Sequence, residues 1–197
     1  GESFVNPRSY DMITYAKQKF PRLFIYASSN GLLFDRPSRR EALMKSGIDE
    51  IVFSIDGARP DSYAHYRVKG DLHKVLHNLR ECIELKRKLG LTRPQVIWRY
   101  ILFRWNDSDA EMREALALAK DIGVDRFYWE ITDHPEDSFS RRFVRGTPDF
   151  ARIRREIWDD SNLATAIPGA TPRAKIEVPT TRLLRVFGEP SIRAQSG

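Results

Sequence analysis

Asp49-Glu50-Ile51-Val52-Phe53-Ser54-Ile55-Asp56-Gly57 is the stretch that decides how the rest of this chain is read. Residues 51–55 are rich in β-branched and aromatic side chains, and their near-continuous apolarity suits a strand covered on both faces. Asp56-Gly57 then breaks the run with two residues that tolerate a tight turn. Ser54 and Asp56 stand two apart, so on a strand both point to one side. Polar groups emerging together at the C-terminal end of a buried parallel strand mark where α/β proteins place a ligand. A plain strand-end turn is the alternative reading of the same residues.

Working outward, Leu23-Phe24-Ile25-Tyr26-Ala27 reads as a strand with the polar exit Ser28-Ser29-Asn30-Gly31. Before it, Asn6-Pro7 supplies an N-cap and first residue for a helix reaching about Lys19. Between the two strands, Ser38 to Lys45 is helical and closed by Gly47. Downstream, Leu72, Val75, Leu76, Leu79 and Ile83 recur at helical spacing, and Gly90 stops the helix they define. Val96 to Phe103 is a further strand, interrupted by Arg99. Ser108 and Glu111 have capping-box spacing for a helix that ends at Gly123, and Val124 to Ile131 is the last strand of the series.

This alternation predicts an α/β fold: a parallel sheet with outer helices over residues 1–133. Periodicity leaves open whether the sheet is flat or curls toward a barrel. Residues 134–174 read as a linker or lid, with prolines at 135, 148, 168 and 172 and one helical stretch from Phe150 to Trp158. Residues 175–197 hold two short strand patterns around Pro179 and read as the start of a further C-terminal region.

Composition narrows the function classes. The chain has 197 residues, 41% hydrophobic and 30% charged, with no apolar run of transmembrane length and no signal-peptide pattern, so a soluble, cytoplasmic protein without a membrane partner is expected. A net charge of +6 permits an anionic partner, but the basic residues are scattered, which argues against nucleic acid. Cys82 is the only cysteine, which excludes a disulfide framework and an iron–sulfur cluster held within the chain; beside a helical stripe it reads as a small buried apolar residue. His73 and His77 share a helix face without acidic or thiol companions to complete a metal site. Asp49, Glu50 and Asp125 read as solvating the strand bottoms. No dinucleotide fingerprint, Walker loop or nucleophile elbow is present.

In a parallel sheet the polar strand ends converge on one rim: Ser28 with Asn30, Ser54 with Asp56, Arg99, the Glu130 to His134 region, and Glu2 ahead of the first helix. Acceptors, hydroxyl donors and a fixed cation together suit a ligand with hydroxyls, an amine and a carboxylate. Asp56 suits a ribose diol and Arg99 a carboxylate held by two parallel bonds. Turn closure by Ser28 and Asn30, and solvent pairing by Arg99, remain the plainer alternatives.

Taken together, Gly1-Glu2-Ser3 with Phe4-Val5-Asn6-Pro7, Ser28-Ser29-Asn30-Gly31, Ser54-Ile55-Asp56-Gly57, and Tyr63 through Tyr66-Arg67 resemble the radical S-adenosylmethionine (SAM) superfamily. The narrower likeness is to its SPASM-like branch, whose members often carry an additional C-terminal cluster domain. The resemblance covers about residues 1–131 and implies a partial (β/α)6 barrel, truncated at the N-terminus. It also implies SAM and a [4Fe-4S] cluster as cofactors. The activity implied is reductive cleavage of SAM to a 5′-deoxyadenosyl radical that abstracts hydrogen from a small-molecule or peptide substrate. An electron donor such as flavodoxin or ferredoxin comes with that chemistry.

Position by position, Gly1 and Glu2 resemble part of the Gly-Gly-Glu-Pro motif that engages the SAM amine. Ser3 replaces its proline, an exchange expected to alter stiffness and not contact chemistry. Ser28 and Asn30 match the strand-end motif near SAM, and Ser54 and Asp56 match the Ser-x-Asp strand end that holds ribose or methionyl atoms. Arg67 and Arg99 fall where members often supply a polar or cationic side chain. Asp56 is thereby expected to accept hydrogen bonds from the nucleoside, or to order a neighbouring donor, in a wet site above the core. The family's cysteine triad is absent, so the chain is expected to be an inactive fragment of a complete enzyme. A non-catalytic SAM-like binding or assembly module is one alternative. Another is a different barrel enzyme binding a nucleotide or phosphorylated ligand, although no glycine-rich late loop is visible for it.

Overall fold

Strand-forming runs at 26–29, 50–54, 95–102 and 126–131 pair into one sheet, with helices on the connections between them. The structure, a computed structural model, describes residues 2–132, 135 and 137–153. The elements are α1 (Ser9–Lys19), β1 (Tyr26–Ser29), a 3₁₀ turn (Leu32–Asp35), α2 (Pro37–Lys45), β2 (Glu50–Ser54), α3 (Pro60–Tyr66), α4 (Leu72–Lys88), β3 (Gln95–Leu102), α5 (Asp109–Ile122), β4 (Arg126–Ile131) and α6 (Pro148–Ile153). The strands lie in the order β1-β2-β3-β4 and every pairing is parallel. Parallel neighbours in chain order require a crossover between each pair, and right-handed crossovers bring the helices to one face. No helix among the described residues is long and apolar enough to cross a membrane.

Register assigns the two faces. Phe53 is level with Trp98, which is level with Phe127, and the neighbouring Tyr100 is level with Trp129. All five are buried under the helices in one continuous core with Val75 and Leu79 of α4 and Ala115 and Ala119 of α5. Each such aromatic contributes roughly 1.5–3 kcal/mol by leaving water, so this face dominates the stability of the sheet. The alternate residues Ser54, Arg99 and Tyr128 form a level row on the opposite face. The sheet thus has an aromatic side toward the helices and an opposite side on which this polar row lies between the apolar Val52, Ile97 and Ile101.

The elements follow the sequence reading with local differences. Asn6 does not cap α1; its side chain accepts from the Arg8 amide and its carbonyl from the Ser9 amide, closing a turn ahead of the helix. The first strand starts at Tyr26 and not Leu23, because the Asp49 carboxylate takes the Ile25 amide that a ladder would have used. Helix α3 was missed, although Pro60 as its first residue was its signal. Gly57 allows α3 to pack: a Cβ there would stand 2.5 Å from the Tyr63 backbone nitrogen. The strand bottoms differ most. Asp49 is buried, not solvating; it accepts from Lys17 Nζ and the Ile25 amide at 2.8 Å each and pairs with Arg93. Asp125 accepts from Lys86 Nζ and the Val96 amide at 2.6 Å each, and Glu50 pairs with Arg126.

Beyond β4, Phe139 bridges Phe103 in antiparallel sense, Phe143 is fully buried, and α6 adds Ile153 to the core. The strand patterns at 175–178 and 182–187, Trp158 and His134 lie outside the described residues.

Candidate functional site

Because the sheet is parallel, the C-terminal ends of its strands form one edge, and four of the residues singled out from the sequence meet there. The Glu2 carboxylate accepts from the Asn30 amide at 2.8 Å and from the Phe4 amide at 3.3 Å. The Ser28 and Ser54 hydroxyls lie 2.9 Å apart across β1 and β2. Asn30 Oδ1 accepts from the Leu32 amide, so this side chain closes the loop that Glu2 also holds. Ser3 has a contact of its own, contrary to expectation: its hydroxyl donates to the Ser28 carbonyl at 3.2 Å. The segment ahead of α1 is thereby fastened over the end of β1. Gly1 lies outside the described residues.

Asp56 sits differently from the expectation of a wet site. It is 0% exposed. Its Oδ1 accepts from the Ile101 amide at 2.9 Å, continuing the ladder where β2 has ended. Its Oδ2 accepts from Arg67 Nε at 2.9 Å and Nη2 at 2.5 Å. Burial pushes the carboxyl above its ordinary range, opposed first by the Arg67 cation and then by the Ile101 amide. Asp56 therefore does not face solvent as expected, and its carboxylate is taken up in holding a neighbouring donor. That donor is Arg67, which follows α3 and also lies over the Tyr66 ring.

Arg99 occupies the polar row between Ser54 and Tyr128. Its side chain is 24% exposed and donates through Nη1 to Glu130 Oε2 at 3.3 Å. Charge-assisted pairs are usually at about 2.7–2.9 Å, so this bond is slack. Its Nε is buried and has no hydrogen-bond partner among the described residues. An orphaned buried donor costs about 1–3 kcal/mol, which makes it an uncommon thing to keep. Burial raises the Tyr128 hydroxyl to about 12, with the Arg99 cation pulling the other way.

Sequence reasoning missed the residues that hold this edge in shape. Asn106 is fully buried; its amide donates to the Asp56 and Ile101 carbonyls at 3.0 Å each, and its oxygen accepts from the Phe103 amide. Glu111 does not complete the capping box. Ser108 caps α5 by accepting from the Glu111 amide, but the Glu111 carboxylate turns inward. One of its oxygens takes the Ala58 amide at 3.1 Å, the Ser62 hydroxyl, and the Tyr100 hydroxyl at 3.1 Å. The polar run Asn106-Asp107-Ser108 just past a strand was the available signal.

Cys82 is free and buried on α4, with burial pushing its thiol up to about 12. Among the described residues no group of three or more His, Cys, Asp or Glu side chains converges as a metal site. A [4Fe-4S] cluster therefore does not fit the residues of this chain, which supply one inert thiol where three thiolates are needed.

No known family's sequence profile matches the chain. It is 36% identical over 100 residues to a GTP 3′,8-cyclase of Alkaliphilus oremlandii, covering 51% of this chain and 29% of that protein. A GTP 3′,8-cyclase of Alkaliphilus metalliredigens is 32% identical over the same length and shares. The chain thus spans under a third of the relatives it matches. Among solved structures it is similar to Streptococcus suis SuiB bound to S-adenosylmethionine, with TM-score 0.52 and 12% identity over 66% of this chain and 27% of that one. SuiB bound to its precursor peptide SuiA gives TM-score 0.58 and 13% identity over 79% and 32%. These structural likenesses show the fold: a partial parallel sheet with flanking helices, of the kind found in a truncated radical SAM-type barrel.

Proposed function

We propose that this chain is the SAM-holding portion of a radical SAM core. The observation that carries the reading is the convergence of Glu2, Ser28, Asn30 and Ser54 on one edge of a parallel sheet, with Asp56 fixing Arg67 beside them. The Ser28 and Ser54 hydroxyls would take ribose or methionyl oxygens, and Arg67 would meet the methionyl carboxylate. Asp56 acts through Arg67 and contacts no ligand. SAM supplies the sulfonium whose cleavage defines the superfamily's chemistry, and that step is not routed through this chain, which has no place for the cluster. The complete protein is proposed to act on a peptide or small-molecule substrate, in line with relatives named for GTP and for a precursor peptide.

Calorimetric titration of SAM into the 197-residue chain tests the binding reading. Saturable binding, weakened by Ser54→Ala, is expected; no heat of binding would remove it. The single cysteine favours one rival, a SAM-binding module without redox chemistry. Both readings expect this chain to produce no 5′-deoxyadenosine after anaerobic reconstitution with iron and sulfide. They part on the polypeptide encoded next to it: a cysteine triad there selects the enzyme.

A further inference from the structure

The proposed cofactor edge uses the ends of β1 and β2, and leaves the polar row on β3 and β4 without an assignment. There Arg99 keeps Nε buried and, among the described residues, unpartnered, while Nη1 holds Glu130 only at 3.3 Å. Both partners are partly open, at 24% and 32% side-chain exposure. A guanidinium binds an anion best along its flat edge, through two parallel N–H bonds to two oxygens. The edge that contains Nε is the one left without such a partner. Glu130 contributes a single carboxylate oxygen at the tip of the other side, from a neighbouring strand, and its side chain is partly open to solvent.

We infer that Arg99 anchors a carboxylate or phosphate group of a ligand other than SAM, entering on the face away from the helices, with Glu130 as its displaceable partner. The same arrangement selects against cations, which the guanidinium repels, and against neutral groups, which cannot offset the burial of a charged N–H. The ligand is therefore anionic at the end that reaches this strand. This assignment moves Arg99 from the cofactor to the second substrate, and it stands on the geometry of Arg99 whether or not SAM binds at the edge beside it.

The test uses the full chain labelled with nitrogen-15, following the Arg99 Nε–Hε resonance, identified by its loss in Arg99→Lys. Acetate and inorganic phosphate are titrated separately, with sodium chloride matched for ionic strength. Movement of that resonance with protection from solvent exchange is expected for at least one probe. A response to acetate identifies a carboxylate ligand, and a response to phosphate alone identifies a phosphorylated one. Arg99→Gln should weaken the responding probe by about tenfold or more, and Glu130→Gln should tighten it severalfold by removing the competitor. The Glu130 variant keeps the test decisive even if Arg99→Gln fails to fold. Silence of the resonance to both probes overturns the inference, as does unchanged probe affinity in Glu130→Gln. Saturating SAM should leave the probe response intact; its abolition by SAM would put Arg99 in the cofactor site and overturn the assignment. A chain that binds the probe at Arg99 but does not bind SAM keeps this inference and loses the proposed function.

Discussion

Replacing Asp56 by Asn leaves an acceptor for the Ile101 amide but turns an amide N–H toward the Arg67 guanidinium. The lost charge-assisted bonds are worth about 1.5–3 kcal/mol, tempered because Arg67, 25% exposed, can turn to water. Urea denaturation should therefore show a loss of about 2 kcal/mol, and SAM affinity should fall through the released Arg67. A stability unchanged within error would mean that the pair is not formed. Asp49→Asn, at the other end of the same strand, is not a silent control. Asp49 is buried and holds Lys17, Arg93 and the Ile25 amide, so its variant should lose about as much stability while leaving the affinity of the folded fraction intact. Equal affinity losses in the two variants would show that Asp56 acts through general destabilisation. At this scale the sequence showed which residue types stand at the strand ends. It could not show that Asp49 and Asp56 are buried, because their partners lie 11 to 45 positions away, at Arg67, Arg93 and Ile101.

Elements were legible where one local signal sets them, and less so where two signals compete. The α4 stripe and the left-handed Gly47 and Gly123 stand where spacing put them, and the four strands differ from the reading by three residues or fewer at each start. Glu111 shows the competing case. Three positions after Ser108 it has the spacing to cap α5, yet the buried donors of Ala58, Ser62 and Tyr100 take its carboxylate instead. Burial with Glu111 as neighbour drives the Tyr100 hydroxyl far above its ordinary range, so it stays a donor throughout the accessible pH range. Glu111→Ala strands the Ala58 amide between β2 and α3, whereas the Ser62 and Tyr100 hydroxyls keep the Arg59 and Asn106 carbonyls at 3.1 Å each, and an orphaned group costs about 1–3 kcal/mol. The expected loss is about 2–3 kcal/mol, with hydrogen exchange at the Ala58 amide rising well above that of the sheet. Glu111→Gln retains an acceptor oxygen and should lose about 1 kcal/mol. A capping role alone would give both variants similar small losses, of about 0.5–1 kcal/mol, and no change at Ala58.

At the scale of the whole molecule, parallel topology was legible from the repeated helix–strand alternation, while the docking of residues 139–153 was not, since proline spacing suggested only a linker or lid. That segment is held by side chains distant in sequence. Ser140 donates to Asp107 at 2.6 Å, and Arg142 donates to the Asp107 carbonyl, to Asp109 and to Asp149. Arg152 also donates to Asp109, and the Arg142 guanidinium lies over the ring of the buried Phe143. Hydrogen bonds from Arg152 and then Arg142 hold the Asp109 carboxyl far below the usual range. A carboxylate whose folded pKa is depressed contributes stability above its unfolded pKa, about 3.9, and loses that contribution as pH falls from there through the folded value. The clasp should therefore hold at neutral pH and weaken progressively below about pH 4. The pairs are exposed, so screening by salt should weaken it further and keep the effect modest. Ring resonances of Phe143 report on it directly. In wild type at low salt they should shift as pH drops below about 4, and added salt at neutral pH should move them part of the way. In Asp109→Asn they should already be displaced at neutral pH, with most of the acid-dependent shift gone. Phe143 signals in Asp109→Asn that match wild type at neutral pH would show that apolar packing alone seats this segment against α5.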